Sequence, residues 1–323
     1  MNVLEIRGLK TYFETGRGTI KAVDGVDLTL KKGDTLGVVG ESGCGKTVLS
    51  LSIMRLVPKP GGKIVAGKII FEGIDLLALD ESRMREIRGK DISMIFQEPM
   101  TSLNPVLKIG DQVSEVLRLH QGLSKADSLA RAVEILRMVG IPAPEQRARE
   151  YPHQMSGGMR QRVIIATAIA CRPRLILADE PTTALDVTIQ AQILDILERL
   201  KEELDTSVIL ITHDLGVIAE TARDVAVMYA GKIVELSPVK ELFADPLHPY
   251  SRGLHQSVPK SKKAKSEAGY LKAIPGTVPS LYALPPGCSF QDRCAVAEAK
   301  CRREEPGLTE FSPGHFARCW RCR

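Results

Sequence analysis

The segment GESGCGKT at positions 40–47 constrains the fold of this chain more than any other feature. It fits the pattern G-x-x-x-x-G-K-[ST] without a mismatch, after the apolar run TLGVV and before the helical KTVLSLSIMRLV. In this strand–loop–helix context, glycines let backbone N–H groups face a phosphate at the helix N-terminus. Lys46 is predicted to reach the β- and γ-phosphates, and the Thr47 hydroxyl is predicted to bind Mg²⁺. The residues expected to contact nucleotide are Gly40, Ser42, Gly43, Cys44, Gly45, Lys46, Thr47 and Val48.

A second apolar run, LILADE, ends in the adjacent carboxylates Asp179 and Glu180. Open α/β sheets bind their ligands at the carboxyl ends of the strands, so both side chains are expected at such an edge. Asp179 is predicted to hold Mg²⁺ through a water molecule. Glu180 is predicted to polarise the attacking water as a general base.

The rest of the chain alternates strand-like and helix-like segments. Residues 1–72 carry β-rich runs such as VLEIRGL, VDLTL and KIIFEG, and residues 110–150 show helical periodicity. The apolar runs LILAD and SVILIT are separated by the helical TIQAQILDILERLKEEL. Apolar strands alternating with helices predict an α/β fold with a parallel sheet covered on both faces. After about residue 240 the composition changes, and PKSKKAKSEAG (259–269) is interpreted as a linker or exposed loop.

Composition and hydropathy indicate the cellular compartment of the chain but do not indicate its function. A hydrophobic content of 44% and a charged content of 26% are ordinary for a globular protein, and the net charge of +5 decides nothing. No apolar run approaches the ~20 residues of a membrane-spanning helix, and the N-terminus has no signal-peptide pattern. The chain is therefore expected in the cytosol, where structural disulfides are rare and clustered cysteines favour metal binding.

Between the two motifs lies MSGGMRQR (155–162), and at this point the sequence resembles the ATP-binding subunits of ABC transporters. The resemblance implies that Ser156, Gly157 and Gly158 bind the γ-phosphate of a nucleotide held by the opposite subunit. A serine at this position would also cap a helix whose N-terminus faces the anion. Met159 stands where the family more often has glutamine.

The same resemblance assigns roles to four further residues. Gln97 matches the glutamine that touches Mg²⁺ and the attacking water and links the site to the membrane partner. His213 matches the histidine that contacts the γ-phosphate, and Asp186 matches a loop that crosses the dimer interface. Phe13 aligns best with the aromatic residue that stacks on adenine, with Tyr12 as the near alternative.

The resemblance narrows to the oligopeptide/dipeptide permease branch, through FQEPMTSLNPVLKIGDQV, ADEPTTALDVTIQAQIL, DPLHPYSRGL and IPGTVPSL. It implies a P-loop ATPase cassette with a parallel core sheet, an antiparallel β subdomain and a helical signature subdomain. We expect the ATPase domain at 1–240, with its helical subdomain at about 98–160. A C-terminal extension at 241–323 is expected to carry a small cysteine-containing appendage at 288–322.

The implied function is ATP hydrolysis that powers import of dipeptides or oligopeptides, with ATP and Mg²⁺. The implied partners are a second, non-identical ATPase subunit (or itself as a homodimer in isolation), two transmembrane permease subunits and, indirectly, an extracytoplasmic substrate-binding protein. The subunit would sit at the cytoplasmic face of the inner membrane. Nickel complexes or oligosaccharides are alternative cargoes. A soluble ABC ATPase acting on nucleic acid is disfavoured, because the chain has neither a second cassette nor a long coiled-coil insertion.

Five of the seven cysteines lie near the end of the chain. Four of them follow C-x₅-C-x₆-C-x₁₇-C, which is neither of the compact zinc patterns, yet four thiolates on loops could enclose a [4Fe–4S] cluster or Zn²⁺. Some members of this permease branch are similar at these positions and carry an iron–sulfur cluster. A [4Fe–4S] cluster is therefore expected, with zinc as the alternative and free or disulfide-bonded cysteines as a further one; Cys322 could replace the last ligand. The expected ligands are Cys288, Cys294, Cys301 and Cys319.

Overall fold

A computed structural model describes residues 1–97, 102–183, 185–257 and 274–322. These residues form two compact units. The first unit comprises Met1–Val3, Leu30–Asp34 and Ile74–Ile211, and the second comprises Leu4–Thr29, Thr35–Gly73 and Thr212–Arg323. The basic segment expected as a linker, 259–269, lies outside the described residues. The division of the chain at residue 240 stays a prediction.

The predicted β-rich runs all overlap strands of the structure, and several further strands were not predicted. The strands are β1 (Asn2–Thr15), β2 (Gly18–Lys31), β3 (Thr35–Val39), β4 (Gly62–Phe71), β5 (Ile74–Asp75), β6 (Ile92–Ile95), β7 (Leu175–Asp179), β8 (Ser207–Thr212), β9 (Asp224–Tyr229), β10 (Lys232–Pro238), β11 (Thr309–Ser312) and β12 (His315–Ala317).

The helices fall in the segments with helical periodicity and in shorter connections. They are α1 (Lys46–Ile53), α2 (Glu81–Ile87), α3 (Ile109–Gln121), α4 (Lys125–Met138), α5 (Pro144–Arg147), α6 (Gly157–Ile169), α7 (Val187–Leu204), α8 (Leu215–Thr221), α9 (Val239–Ala244) and α10 (Pro249–Ser257). In the described part of the chain, none of these helices is both long enough and apolar enough to cross a membrane.

In the first unit, β6, β7 and β8 run parallel in the order β8–β7–β6. Ala178 of β7 pairs with Ile95 on one side and with Leu210 on the other. Every residue of β7 is buried, as expected for a strand covered on both faces. The strand therefore ends with Asp179 at its carboxyl end, where the sequence predicts the ligand-binding edge.

The predicted helical region, residues 110–150, is also part of the first unit. Helices α3 and α4 pack against each other and against α6. Gly122, in the left-handed conformation, ends α3, and the Ser124 side chain caps α4 by accepting the Asp127 N–H at 3.2 Å. These end signals explain why two helices form here instead of one.

The second unit contains an antiparallel layer in which β1 lies between β2 and β4. Ile6 of β1 pairs with Ile69 of β4, and both are buried. A further set of strands runs in the order β11–β12–β10–β9–β3, with β3 parallel to β9 and all five β3 residues buried. The loop that follows β3 is the one that the sequence singles out.

Helix α1 is shorter than the sequence pattern predicts. The run KTVLSLSIMRLV suggests a helix to Val57, but the helix ends at Ile53. Arg55 has a positive φ of 52°, which an α-helix cannot accommodate, and Pro58 follows soon after. The prediction of the helix was right, and its C-terminal limit was wrong.

The C-terminal hairpin of β11 and β12 was not predicted, because no long periodic run marks it. Strand β12 pairs antiparallel with β10. Glu235 of β10 is fully buried and accepts hydrogen bonds from the backbone N–H groups of Leu247 and His248, both at 2.8 Å. His315 Nε2 lies 2.8 Å from the same carboxylate. These contacts satisfy the buried carboxyl group of Glu235 and join the end of the chain to β10.

Candidate functional site

The candidate residues fall in both units, and each group is described within its own unit. The glycine loop belongs to the second unit. A Cβ atom at Gly40 would lie 2.2 Å from the Met228 carbonyl oxygen, and one at Gly45 would lie 2.0 Å from the Ala22 carbonyl oxygen. Gly45 also has a φ of 107°. Only glycine fits at either position, so the curl of the loop depends on both residues.

Lys46 begins α1 and is buried, with 5% of its surface exposed. Its Nζ donates to the carbonyl oxygens of Gly40 at 2.8 Å and Glu41 at 3.1 Å. The ammonium group is therefore held against the loop's own backbone, while Ser42, Gly43 and Thr47 are exposed to solvent. This combination leaves an accessible loop with a fixed positive charge, the arrangement expected for phosphate binding.

Cys44 is the buried member of this loop. Only 1% of its surface is exposed, and burial raises the pKa of its thiol above the usual value. A protonated, enclosed thiol packs as a small apolar side chain and does not act as a nucleophile.

The two carboxylates of LILADE belong to the first unit. Asp179 is the last residue of β7 and is 1% exposed. Glu180 follows with a φ of 46°, a left-handed conformation that is unfavourable for residues other than glycine. Its backbone N–H donates to the Ile211 carbonyl oxygen at 2.9 Å. The contact with Ile211 therefore holds the left-handed turn at Glu180, directly after the strand ends.

The Glu180 carboxylate is held by two donors on one oxygen. Gln97 Nε2 donates to Oε2 at 3.1 Å, and the Thr183 hydroxyl donates to the same atom at 2.8 Å. The structure thus brings together Gln97 and Glu180, as the sequence predicts. The contact of Thr183 with Glu180 was not predicted from the sequence. Its hydroxyl group, three residues after the candidate base, is the feature that would have suggested it.

Ser156 and Asp186 both cap helices in the first unit. Ser156 Oγ accepts the Met159 N–H at 3.3 Å at the start of α6, and Asp186 Oδ1 accepts the Ile189 N–H at 3.0 Å at the start of α7. Both capping residues are exposed. The expectation that Ser156 caps a helix is confirmed.

The glycines after Ser156 admit close packing. A Cβ atom at Gly158 would lie 2.8 Å from Ile189 Cγ2, on α7, so the second glycine allows α6 to approach that helix. At Gly157 the nearest atom would be Leu185 Cδ2, at 3.8 Å. A side chain at position 158 would therefore force Ile189 to move, whereas one at position 157 would not.

The two candidate adenine contacts, Tyr12 and Phe13, lie on β1 in the second unit and point to opposite faces of the strand. The Tyr12 hydroxyl donates to Asp24 at 2.6 Å, and the Lys21 ammonium lies 5.9 Å from the Tyr12 ring centroid. Phe13 is partly buried and lies beside Gly62. Tyr12 is thus committed to polar neighbours, which leaves Phe13 as the better stacking candidate.

His213 also belongs to the second unit. It is exposed and directly precedes Asp214, whose carboxylate accepts the Gly216 N–H at 2.7 Å at the start of α8. The position after a buried strand agrees with the sequence-based expectation.

The four cysteines predicted as ligands line one small cavity in the second unit, together with His248, Phe290 and Trp320. The cavity-lining cysteines are Cys288, Cys294, Cys301 and Cys319. All seven cysteines are free thiols. Among the residues that the structure describes, no group of three or more His, Cys, Asp or Glu side chains is arranged as ligands of a single metal ion.

Cys322 is not among the residues that line this cavity. It is 5% exposed, packs with Leu247 and Ala317, and its thiol donates to the Leu247 carbonyl oxygen at 3.3 Å. Cys319 Sγ accepts the Arg321 N–H at 3.3 Å. Cys319 packs against the cluster that contains Cys322, so the two candidates for the last ligand are neighbours, and of these two Cys319 is the one that lines the cavity.

The cysteine thiols differ in their pKa values. The adjacent Cys322 thiol, followed by backbone N–H groups, lowers the pKa of Cys319 well below that of an ordinary thiol. Burial raises the pKa of Cys288 to about 11 and raises that of Cys294. Cys319 is thus the member of the set that most readily exists as a thiolate.

Comparison with known proteins places the chain in a family. A family model described as ABC transporter matches residues 23–183, and one described as oligopeptide/dipeptide transporter, C-terminal region, matches residues 234–301. The chain is 53% identical to the probable peptide ABC transporter ATP-binding protein y4tR of Sinorhizobium fredii, over 99% of this chain and 95% of that protein. It belongs to the ATP-binding subunits of ABC transporters.

Further relatives place this ABC subunit in the oligopeptide/dipeptide branch. The oligopeptide transport ATP-binding protein AppD of Bacillus subtilis is 52% identical, over 98% of this chain and 96% of the relative. The dipeptide transport ATP-binding protein DppD of the same organism is 51% identical, over 98% and 94%.

A solved structure agrees with the assignment. The dimeric, post-hydrolysis ATP-binding cassette MJ0796, bound to ADP and Pi, covers 73% of this chain and 98% of its own, with a TM-score of 0.66 and 30% identity. The predicted cassette fold is confirmed. ATP hydrolysis, in general with Mg²⁺, is the activity of this family.

Proposed function

We propose that this ABC subunit hydrolyses ATP to drive import of oligopeptides or dipeptides through a membrane transporter. The observation that carries the proposal is the Glu180 carboxylate, turned out of a buried strand and held by Gln97 and Thr183. The peptide cargo is supported by the family match over residues 234–301 and by relatives named for peptide transport.

In the proposed reaction, the oxygen of a water molecule forms a bond to the γ-phosphorus while the bond to the bridging oxygen breaks. Glu180 accepts the proton of that water as general base, and ADP leaves with the electron pair of the broken bond. Gln97 orients the water. Lys46 balances phosphate charge from the loop, and His213 contacts the γ-phosphate.

The donor types of the proposed ligands also suit a magnesium ion. Carboxylate, hydroxyl and amide oxygens are the donors that Mg²⁺ prefers, and these are supplied by Asp179, Thr47 and Gln97. Asp179 is enclosed at the end of its strand, and Thr47 is exposed at the start of α1. Bound Mg²⁺ would neutralise charge on the β- and γ-phosphate oxygens.

A second ATPase subunit completes the site in this proposal. Ser156, Gly157 and Gly158 would contact the γ-phosphate of a nucleotide bound by the opposite subunit, because a capped helix N-terminus attracts an anion. Asp186 would lie at the subunit interface, and Phe13 would stack on adenine. The dimeric MJ0796 cassette supports pairing, and we propose a non-identical partner subunit for this chain.

The subunit is further proposed to work at the cytoplasmic face of the membrane with two permease subunits and an extracytoplasmic binding protein. Reconstitution in proteoliposomes tests the function and the cargo together. ATP-dependent uptake of a labelled peptide is expected, and uptake of only a nickel complex or an oligosaccharide would replace the peptide cargo. Retention on RNA or DNA without association with permeases would favour the nucleic-acid alternative and defeat the transport proposal.

The cavity-lining cysteines are proposed to hold a [4Fe–4S] cluster. Four sulfur atoms on loops around one cavity are the donor set that such clusters take, and the lowered pKa of Cys319 favours the required thiolate. The cluster would supply cross-links between loops that have little hydrophobic core of their own.

Anaerobic purification tests the cluster directly. We expect a visible iron–thiolate absorption band with matching iron and acid-labile sulfide. A colourless protein with stoichiometric zinc would establish the zinc alternative instead.

A further inference from the structure

Glu41, the second residue of the glycine loop, is held through every polar group that it carries. Its backbone N–H donates to the Tyr250 hydroxyl at 2.8 Å. Its carbonyl oxygen accepts from Lys46 Nζ at 3.1 Å and from the Cys44 N–H at 3.3 Å. Its two carboxylate oxygens accept from Arg293 Nη1 and Nη2, at 2.6 and 3.0 Å. The first turn of the loop is therefore fixed by the loop's own residues and, through Tyr250 and Arg293, by residues outside the loop.

The Arg293 side chain is buried and held in place by hydrogen bonds. Its side chain is 4% exposed, and its Nε donates to the Pro275 carbonyl oxygen at 2.9 Å. The two-pronged contact with Glu41 raises the pKa of the guanidinium group further above its usual value. A buried arginine with this geometry cannot swing to another partner without leaving its charge unpaired.

Both anchors of Glu41 come from the C-terminal extension. Tyr250 lies on α10, and Arg293 lies one residue before Cys294, in the 3₁₀ turn Gln291–Arg293. The Phe290 ring packs against the Tyr250 ring at 5.4 Å and against the Tyr229 ring at 5.2 Å between centroids. Packed aromatic rings of this kind resist displacement, so the extension presents the two anchors as one rigid surface.

We propose that Arg293 and Tyr250 are positioning residues for nucleotide binding, through which the cysteine-bearing extension sets the affinity of the loop for ATP. The inference rests on the proposed function, in which this loop binds the phosphates. Phosphate binding needs several backbone N–H groups aimed at one anion, and that alignment follows from the conformation of Glu41 and its neighbours. Lys46 contributes to the same turn, because it donates to the Glu41 carbonyl.

Affinity for MgATP in the full-length subunit tests the proposal. Arg293→Met and Glu41→Gln are each expected to raise Kd by about 5- to 150-fold, the usual range for coupling between sites. The double variant is expected to bind MgATP no more weakly than the weaker-binding of the two single variants. Each single change already removes the same Arg293–Glu41 contact. Arg293→Lys keeps the positive charge but cannot donate from two nitrogen atoms to the Glu41 carboxylate, and it should recover part of the affinity.

Steady-state kinetics separate positioning from a general loss of structure. The KM for ATP should rise in parallel with Kd, while kcat at saturating ATP should stay within about twofold of the wild-type value. Binding is measured below the thermal transition of each variant. If Arg293→Met does not fold, Arg293→Lys and Tyr250→Phe carry the test, since the latter removes only the hydroxyl that accepts the Glu41 N–H.

Two controls fix the interpretation. Arg302→Met changes an exposed arginine of the same extension and should leave Kd unaltered. Wild-type Kd in folded Arg293→Met, or fully additive effects in the double variant, would overturn the inference. Lys46→Ala should abolish binding; if it binds ATP normally, the proposed role of the loop fails, which is a different result from failure of the Arg293 contact alone.

Discussion

Gln97 Nε2 donates a hydrogen bond to Glu180 Oε2 at 3.1 Å, across 83 positions of sequence. The loop after β6 and the end of β7 are thereby joined at the residue proposed as general base. Because Thr183 donates to the same oxygen, two side chains orient the carboxylate. Substitution of Glu180 therefore tests proton acceptance, and substitution of Thr183 tests orientation of the carboxylate.

Replacing the base should stop the reaction without preventing binding. Glu180→Gln keeps the size of the side chain but cannot accept the proton, so hydrolysis is expected to fall by about 10²- to 10⁴-fold. The Kd for MgATP should change little. Phosphate release and equilibrium binding measure the two effects, with Glu202→Gln, an exposed change on α7, as control. Wild-type turnover in Glu180→Gln would remove Glu180 from its role.

Removing the Thr183 hydroxyl should slow turnover by a smaller factor. Thr183→Ala leaves the base in place but deletes one of its two orienting donors, and we expect kcat to fall by about tenfold with KM nearly unchanged. Thr183→Ser restores a hydroxyl and should recover most of the rate. Equal rates for the alanine and serine variants would contradict an orienting role.

Two serine caps offer a matched pair for testing the second-subunit contact. Ser156→Ala and Ser124→Ala each remove a helix cap, and each should lower the free energy of unfolding by about 1 kcal/mol. Only Ser156→Ala is expected to weaken ATP-dependent pairing of subunits, because Ser124 caps a helix outside the signature segment. Sedimentation in the Glu180→Gln background measures pairing. Identical pairing in both variants would reject the nucleotide contact of Ser156.

The last cysteine ligand can be assigned by comparing two variants. Cys319 lines the cavity, whereas Cys322 donates to the Leu247 carbonyl oxygen. Cys319→Ser is therefore expected to lower the iron content and the visible absorbance, and Cys322→Ser to retain both. The reverse pattern would make Cys322 the ligand.

Acid should destabilise the C-terminal extension through His248. Burial, with the nearby Arg318 and Arg252, lowers the pKa of His248 from 6.5 to about 3. Between these values the unfolded chain binds a proton that the folded chain does not, so stability falls as pH drops from 6.5 towards 3.

The size of this effect follows from the same linkage. Between pH 6.5 and 5 the loss reaches up to about 2 kcal/mol. Urea unfolding at both pH values should show a smaller pH dependence for His248→Gln than for wild type. Equal dependence would rule out His248 as the source.

Local patterns predicted much of this molecule. The strands β3, β7 and β8 are continuous apolar runs, and their burial follows from hydrophobicity alone. The glycine loop and the Asp179–Glu180 pair are contiguous motifs, so their chemistry could be read without a fold.

What sequence reasoning missed depends on contacts between distant residues or on single backbone angles. Arg293 and Glu41 are 252 positions apart, and no spacing rule links them. The left-handed φ of Arg55 ends α1 within an unbroken helical pattern. The β11–β12 hairpin is too short for periodicity to mark it, and its strands become stable only by pairing with β10.

The enclosure of Cys44 has a practical consequence for chemical labelling. A thiol with 1% exposure and a raised pKa reacts slowly with alkylating reagents and oxidants, even though it lies within the loop proposed to bind phosphate. In protein that carries no cluster, the lowered pKa of Cys319 makes this thiol the faster target. Mass-spectrometric footprinting of cluster-free protein with iodoacetamide would therefore label Cys319 before Cys44.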